Sequence, residues 1–275
     1  VSENGVLAVA WLQGWPALLA LVAVGVLSGF VNTLAGGGTL VSVPALLLAG
    51  LPADVANASS RPAVLLQSLT GAVGLARAGG TAGGADGTEG RGLLADAHLA
   101  WILPPTVGGG LLGAWLATAV PRDALRPLTV VTMIGVAVLL ATRKPSSGAE
   151  AVSTPRSPAG RPGALLALLL SGAYGGFLQG GVGFVLLAAL TRLLAHDLVR
   201  ANAVKNVIVG TVTALSLVVF LVADLVAWRE ALALAAGAVV GARLGVRFAR
   251  TRSRRAVERA VLGLVVAACV LVLLR

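Results

Sequence analysis

The sequence predicts an all-α integral membrane protein: about eight long helices plus two short re-entrant half-helices, in two homologous halves that are inverted repeats. Three observations carry this expectation. The chain of 275 residues is 57% apolar and only 12% charged, with a mean hydropathy of +0.93, whereas soluble domains are about 45–50% apolar and about 25% charged. Its apolar residues come in runs long enough for a helix to cross about 30 Å of hydrocarbon. The order of glycine clusters and polar residues in the first half returns in the second.

In chain order the long runs fall at about 12–35, 57–76, 99–120, 125–142, 163–179, 201–223, 225–248 and 256–274. The first reads as a retained helix, because no basic region and no small-residue cleavage site surround it. Two shorter runs, about 39–50 and 184–195, would each cover about 18 Å as a helix, roughly half a bilayer. A stretch rich in glycine and charge, Gly79 to Asp96, reads as a flexible loop. Residues 143–162 hold Pro145, Pro155, Pro158 and Pro162 among serines and basic residues. This segment reads as a solvated linker between a first transmembrane repeat, 1–142, and a second, 163–275.

Shifting the first half by 145 residues lays Gly36-Gly37-Gly38 over Gly181-Val182-Gly183 and Ala56-Asn57-Ala58 over Ala201-Asn202-Ala203. Gly113-Ala114 and Gly241-Ala242 fall at similar places later in each half. The ordered set marks an internal repeat. If each glycine cluster turns a re-entrant hairpin, about 15 Lys and Arg collect on one face against about 5 on the other, a better polarised arrangement than the roughly 12 to 8 split of the alternative in which the first helix crosses fully, the short segment does not return and the repeats are parallel. The hairpin arrangement leaves an odd number of crossings per half, hence inverted halves with a cytoplasmic linker in the cell membrane.

The charge of +10 follows from this positive-inside pattern and carries no nucleic-acid partner. The single cysteine, Cys269, excludes an intramolecular disulfide, and His98 and His196 read as loop residues too separate for a metal centre. Walker A, HExxH and GxSxG patterns are absent from the sequence, so neither an enzyme nor a cofactor is expected. The carboxylates, Asp54 among them, fall in loops or near helix ends.

The densest polar information in apolar surroundings is Asn32, Thr33, Gly36, Gly37, Gly38 and Thr39, followed by Asn57, Ser59, Ser60 and Arg61. Its counterpart is Gln179, Gly180, Gly181 and Gly183, followed by Asn202, Lys205 and Asn206. Consecutive glycines break a helix, and freed backbone at membrane depth is tolerated only inside protein or beside a wet cavity. Paired breaks therefore mark a candidate substrate site, and the amino ends of the short helices favour an anion. The competing reading is that the glycines allow close packing and that Arg61 and Lys205 snorkel to water.

The stretch SGFVNTLAGGGTLVSVPALLLAGLPADVANASSRPAV, with GGFLQGGVGFVLLAAL and RANAVKN in the second half, resembles the sulfite exporter TauE/SafE family. The resemblance covers nearly the whole chain except its two polar loops. It implies secondary transport of small anions, often sulfur-containing ones such as sulfite or organosulfonates, driven by a gradient of a coupling ion such as protons or sodium. Carried over residue by residue, it falls on Gly29, Asn32, Gly36, Gly37, Gly38, Asn57, Ser59 and Ser60, and on Gln179, Gly180, Gly181, Gly183, Asn202, Lys205 and Asn206. An anion channel or facilitator, and a non-transporting membrane scaffold subunit, stand as the alternatives.

Overall fold

The computed structural model describes residues 14–82, 98–121, 157–196 and 198–251, with single residues between 124 and 135. The described residues are helical, with no strand among them. Helix α1 spans Trp15–Ala35, α2 Thr39–Leu48, α3 Ala53–Ser59, α4 Arg61–Ala82 and α5 Leu99–Ala119. The second half supplies α6 (Pro162–Phe177), α7 (Val182–Ala188, continued by a π-helical turn Ala189–Leu193), α8 (Leu198–Val222) and α9 (Trp228–Thr251). The expected runs at 256–274 and most of 125–142 lie outside the described residues, as do most of the loop at 79–96 and of the linker.

Four helices are long and apolar enough to cross a membrane, within Trp15–Leu34, Leu99–Ala119, Arg200–Val222 and Trp228–Phe248. Helix α4 is 22 residues long but is not one of these four; Arg61, Gln67, Ser68, Thr70 and Arg77 make it more polar. Helix α6, with 16 residues, is shorter than a full span. The run expected at 57–76 is divided at Ser60. Proline at 62 has no N–H to give to the carbonyl four residues back and its ring crowds that carbonyl, so α3 and α4 are separate.

The outside of the bundle carries apolar side chains such as Trp15, Leu19, Trp101, Trp115 and Val222, while Ser28, Asn32, Thr33, Gln67, Asn206 and Thr213 are buried. A protein dissolved in lipid can face outward with hydrocarbon and must pair its polar groups inside. Small residues set the interior packing. Helix α1 lies on α9, and α5 lies on α6, so each first helix packs on the last described long helix of the other half. Both contacts use glycines four apart. A Cβ on Gly25 or Gly29 would fall 2.2 or 2.1 Å from the carbonyl oxygens of Leu234 or Ala238, and one on Gly237 or Gly241 would meet those of Val22 or Val26 at 2.0 or 1.9 Å. The other pair repeats this: Gly109 and Gly113 face the carbonyls of Leu169 and Ala173, and Gly172 and Gly176 face those of Thr106 and Gly110. Backbones in direct contact gain dispersion and weak Cα–H···O bonds, which drive helix association where lipid offers no hydrophobic gain. Helices α4 and α8 pack against each other between these two pairs.

Candidate functional site

The two helix breaks meet. Helix α1 ends where Gly36 adopts φ +85°, with its N–H donated to the Asn32 carbonyl at 2.9 Å. Helix α6 ends in a tighter irregular turn in which Gln179 and Gly181 have φ +58° and +74°. For a side chain like that of Gln179 the left-handed region is unfavourable, and such strain persists only where surrounding contacts hold it. Those contacts come from both halves. The Thr39 hydroxyl donates to the Gln179 carbonyl at 2.8 Å and accepts from the Gly181 N–H at 3.0 Å. The Gln179 side chain donates to Thr213 Oγ1 at 2.5 Å, and the Tyr174 hydroxyl donates to the Gly180 carbonyl.

At the crossing itself the backbones touch. A Cβ on Gly183 would lie 2.4 Å from the Gly36 Cα, and one on Gly36 would lie 2.6 Å from the Gly183 Cα. Gly37 is covered by the Phe184 ring, and Gly38 by the Ser28 carbonyl. Beside the crossing, a cavity of about 10 Å³ lined by Ser171, Gln179, Thr213 and apolar side chains has room for about one water.

Arg61 and Lys205 are both 0% exposed, which corrects the snorkelling alternative. Each reaches across to the carboxyl end of the other half's broken helix. Arg61 donates through Nη1 to the Gly175 carbonyl at 3.4 Å and through Nη2 to that of Gly176, and its guanidinium lies 4.4 Å from the Phe220 ring centroid. Lys205 Nζ donates to the Asn32 carbonyl at 2.7 Å. The last carbonyls of a helix carry about half a negative charge, so each cation stabilises a helix end that the glycines left open.

The amides follow the same exchange. Asn57 Nδ2 donates to the Phe177 carbonyl at 2.7 Å, and Asn202 Nδ2 to the Thr33 carbonyl at 2.6 Å. Asn57 and Asn202, with a donor used on backbone, and Gln179, with its donor used on Thr213, each keep an oxygen without a hydrogen-bond partner among the described residues. Ser59 accepts from the Ala227 N–H at 2.8 Å and Ser60 donates to the Asn57 carbonyl at 2.8 Å. Asn206 differs from all of these: both of its amide atoms are buried without a partner, as is Thr33 Oγ1.

Two residues of the same kind escape the motif-based reading. Gln67 and Ser68 are 0% exposed, and their side-chain polar atoms have no partner among the described residues. An amide and a hydroxyl side by side in an apolar run were the available signal. The structure also brings together His98 and His196, whose ring centroids are 6.2 Å apart; the expectation that they are too separate is thus corrected. Among the described residues no three His, Cys, Asp or Glu side chains gather as metal ligands. Asp54 is buried, in the first turn of α3.

Comparison with known proteins supplies the family. The chain is 28% identical over 216 residues to the "Probable membrane transporter protein YfcA" of Escherichia coli (strain K12), covering 78% of this chain and 74% of that protein. It is 29% identical over 125 residues to the "Probable membrane transporter protein ORF9" of Sinorhizobium sp, covering 44% of this chain and 41% of that one. No solved structure matches. The family model for the sulfite exporter TauE/SafE matches residues 21–272, and the chain therefore belongs to that family of multi-pass membrane transporters.

Proposed function

We propose that the protein is a secondary transporter of small anions, sulfur-containing ones such as sulfite or organosulfonates, and that it works as an exporter. One observation carries the anionic reading: Arg61 and Lys205 are fully buried beside the crossing, and their partners among the described residues are backbone carbonyls and an aromatic face. A buried cation costs several kcal/mol unless its field is answered, and carbonyl dipoles answer it only in part. A passing anion completes the compensation. The sulfur chemistry rests on the name of the family.

The reading of two inverted repeats working by alternating access is supported by the reciprocal contacts of the halves, α1 on α9 and α6 on α5. Such pairs can rock as bodies about the crossing, with a proton or sodium gradient supplying direction. Purified protein in vesicles tests the proposal. Saturable sulfite uptake with counterflow is expected; flux that does not saturate favours a channel or facilitator, and no flux favours a scaffold. Cysteines at Ser146 and Arg252, in a Cys269→Ala background, should both label from the cytoplasm only. Labelling of Ser146 from outside with Arg252 labelled from inside overturns the inverted arrangement.

A further inference from the structure

We propose that the transported anion is bound off the crossing, between α4 and α8, by Thr33, Gln67, Ser68 and Asn206, beside Gly71, whose missing Cβ lets the Asn206 amide come close. This deepens the anion reading above and rests on it. A Cβ on Gly71 would lie 2.9 Å from Asn206 Nδ2 and 3.5 Å from Thr33 Oγ1. Gln67 sits one turn before Gly71 on the same face of α4. Ser68 faces α8, since a Cβ on Gly210 would lie 3.7 Å from its Cβ, and Gly210 is one turn beyond Asn206.

These four side chains are at most 1% exposed, and Thr33 Oγ1, Ser68 Oγ and both polar atoms of Gln67 and Asn206 have no hydrogen-bond partner among the described residues. Native proteins rarely leave buried polar groups unmatched, and a cluster of them marks a place where something else completes the bonding. Two amides and two hydroxyls offer six N–H and O–H hydrogens, a donor set suited to the oxygens of a small oxyanion. Asn57 and Asn202 are different, because each already gives an N–H to a backbone carbonyl and keeps an unmatched oxygen.

Charge decides between an anion and a metal cation. Lys205 precedes Asn206 and is itself buried; apart from Asp54 on α3, no buried carboxylate occurs among the described residues. Neutral donors beside a positive charge that a carbonyl answers only in part replace an anion's hydration without trapping it as a direct ion pair would.

The test measures sulfite binding and sulfite flux for four variants of the full chain, with thermal unfolding in detergent as the second readout. Gln67→Met and Asn206→Leu remove donors while keeping bulk, and each should weaken sulfite binding about 10- to 150-fold. Their unfolding temperature should stay level or rise, because unmatched polar atoms have been removed. Gly71→Ala should also weaken binding, its Cβ displacing the end of the Asn206 side chain, whereas Gly210→Ala, which meets only ordinary contacts, should bind as wild type does. Wild-type affinity in Gln67→Met and Asn206→Leu overturns the site. A lower unfolding temperature with unchanged affinity also overturns it, making the cluster structural. Loss of sodium dependence with intact sulfite affinity overturns it in favour of a cation site. Failure of the wild-type protein to bind or carry any sulfite fails the anion reading itself, a result distinct from all of these.

Discussion

The two halves stabilise their open helix ends with different cations. Arg61 spreads a planar fork over two carbonyls of α6 and rests on the Phe220 ring, whereas Lys205 puts one ammonium on one carbonyl of α1. A guanidinium cannot be deprotonated and is held by several contacts in fixed geometry; an ammonium on a flexible stem turns about its bonds and lets go of one partner at a time. The same electrostatic task is therefore done rigidly in one half and adjustably in the other. If the crossing moves during transport, the Lys205 side is the one built to yield.

The largest expected effect is at the crossing that both cations serve. Gly183→Ala forces a Cβ to 2.4 Å from backbone, and should cost about 3 kcal/mol or more, with transport abolished, as read by thermal unfolding and flux. Gly37→Ala meets a movable ring, that of Phe184, so Phe184→Leu should restore it. Rescue of neither, or of both, removes the distinction between a backbone crossing and a side-chain cover.

The comparison of cations is sharpened next. Arg61→Gln should lower stability by about 1–2 kcal/mol more than Lys205→Gln, since it gives up a second carbonyl and a cation–π contact. Equal losses break the comparison. Below this come Asn57→Ala and Asn202→Ala, each removing one donor from one carbonyl of the opposite half; each should cost about 1 kcal/mol. A large inequality between them shows that the halves differ in their amides as well as their cations. The smallest effect contrasts neighbours: Gly108 has open space where a Cβ would go, and Gly108→Ala should stabilise by up to about 1 kcal/mol. Gly109→Ala meets the Leu169 carbonyl at 2.1 Å and should destabilise.

Much of the fold was legible along the chain. Runs expected at 12–35, 99–120, 163–179, 201–223 and 225–248 match helices from Trp15, Leu99, Pro162, Leu198 and Trp228 to within about three residues at either end, and both short helices occur. Hydrophobic length and glycine breaks are local, so one strand of sequence carries them. What was not legible is the exchange between halves. The partners of Arg61 lie 114 and 115 positions away, and that of Lys205 lies 173 away. Spacing within one helix placed both basic residues near an Asn but could not say that each would serve a helix end in the other repeat. Gln67 and Ser68 escaped notice because their meaning depends on Asn206 and Thr33, which approach only after α1, α4 and α8 have packed. The nearness of His98 to His196 is likewise a product of assembly.

The glycine faces have a consequence for how the chain is made. Helix α1 emerges from the ribosome with Gly25 and Gly29 bare, and the helix that covers them, α9, begins only at Trp228. At about 5–20 residues per second, that wait lasts on the order of 10–40 s. Helix α5, in contrast, meets α6 once the run at about 125–142 and the linker after it have been made. Assembly in the membrane should thus begin with the inner pair, formed from neighbours in the sequence, and finish when the last described helix returns to the first. Until then lipid or an insertion factor must shield the first helix, and a chain cut short before α9 should be recognised as unfinished and degraded.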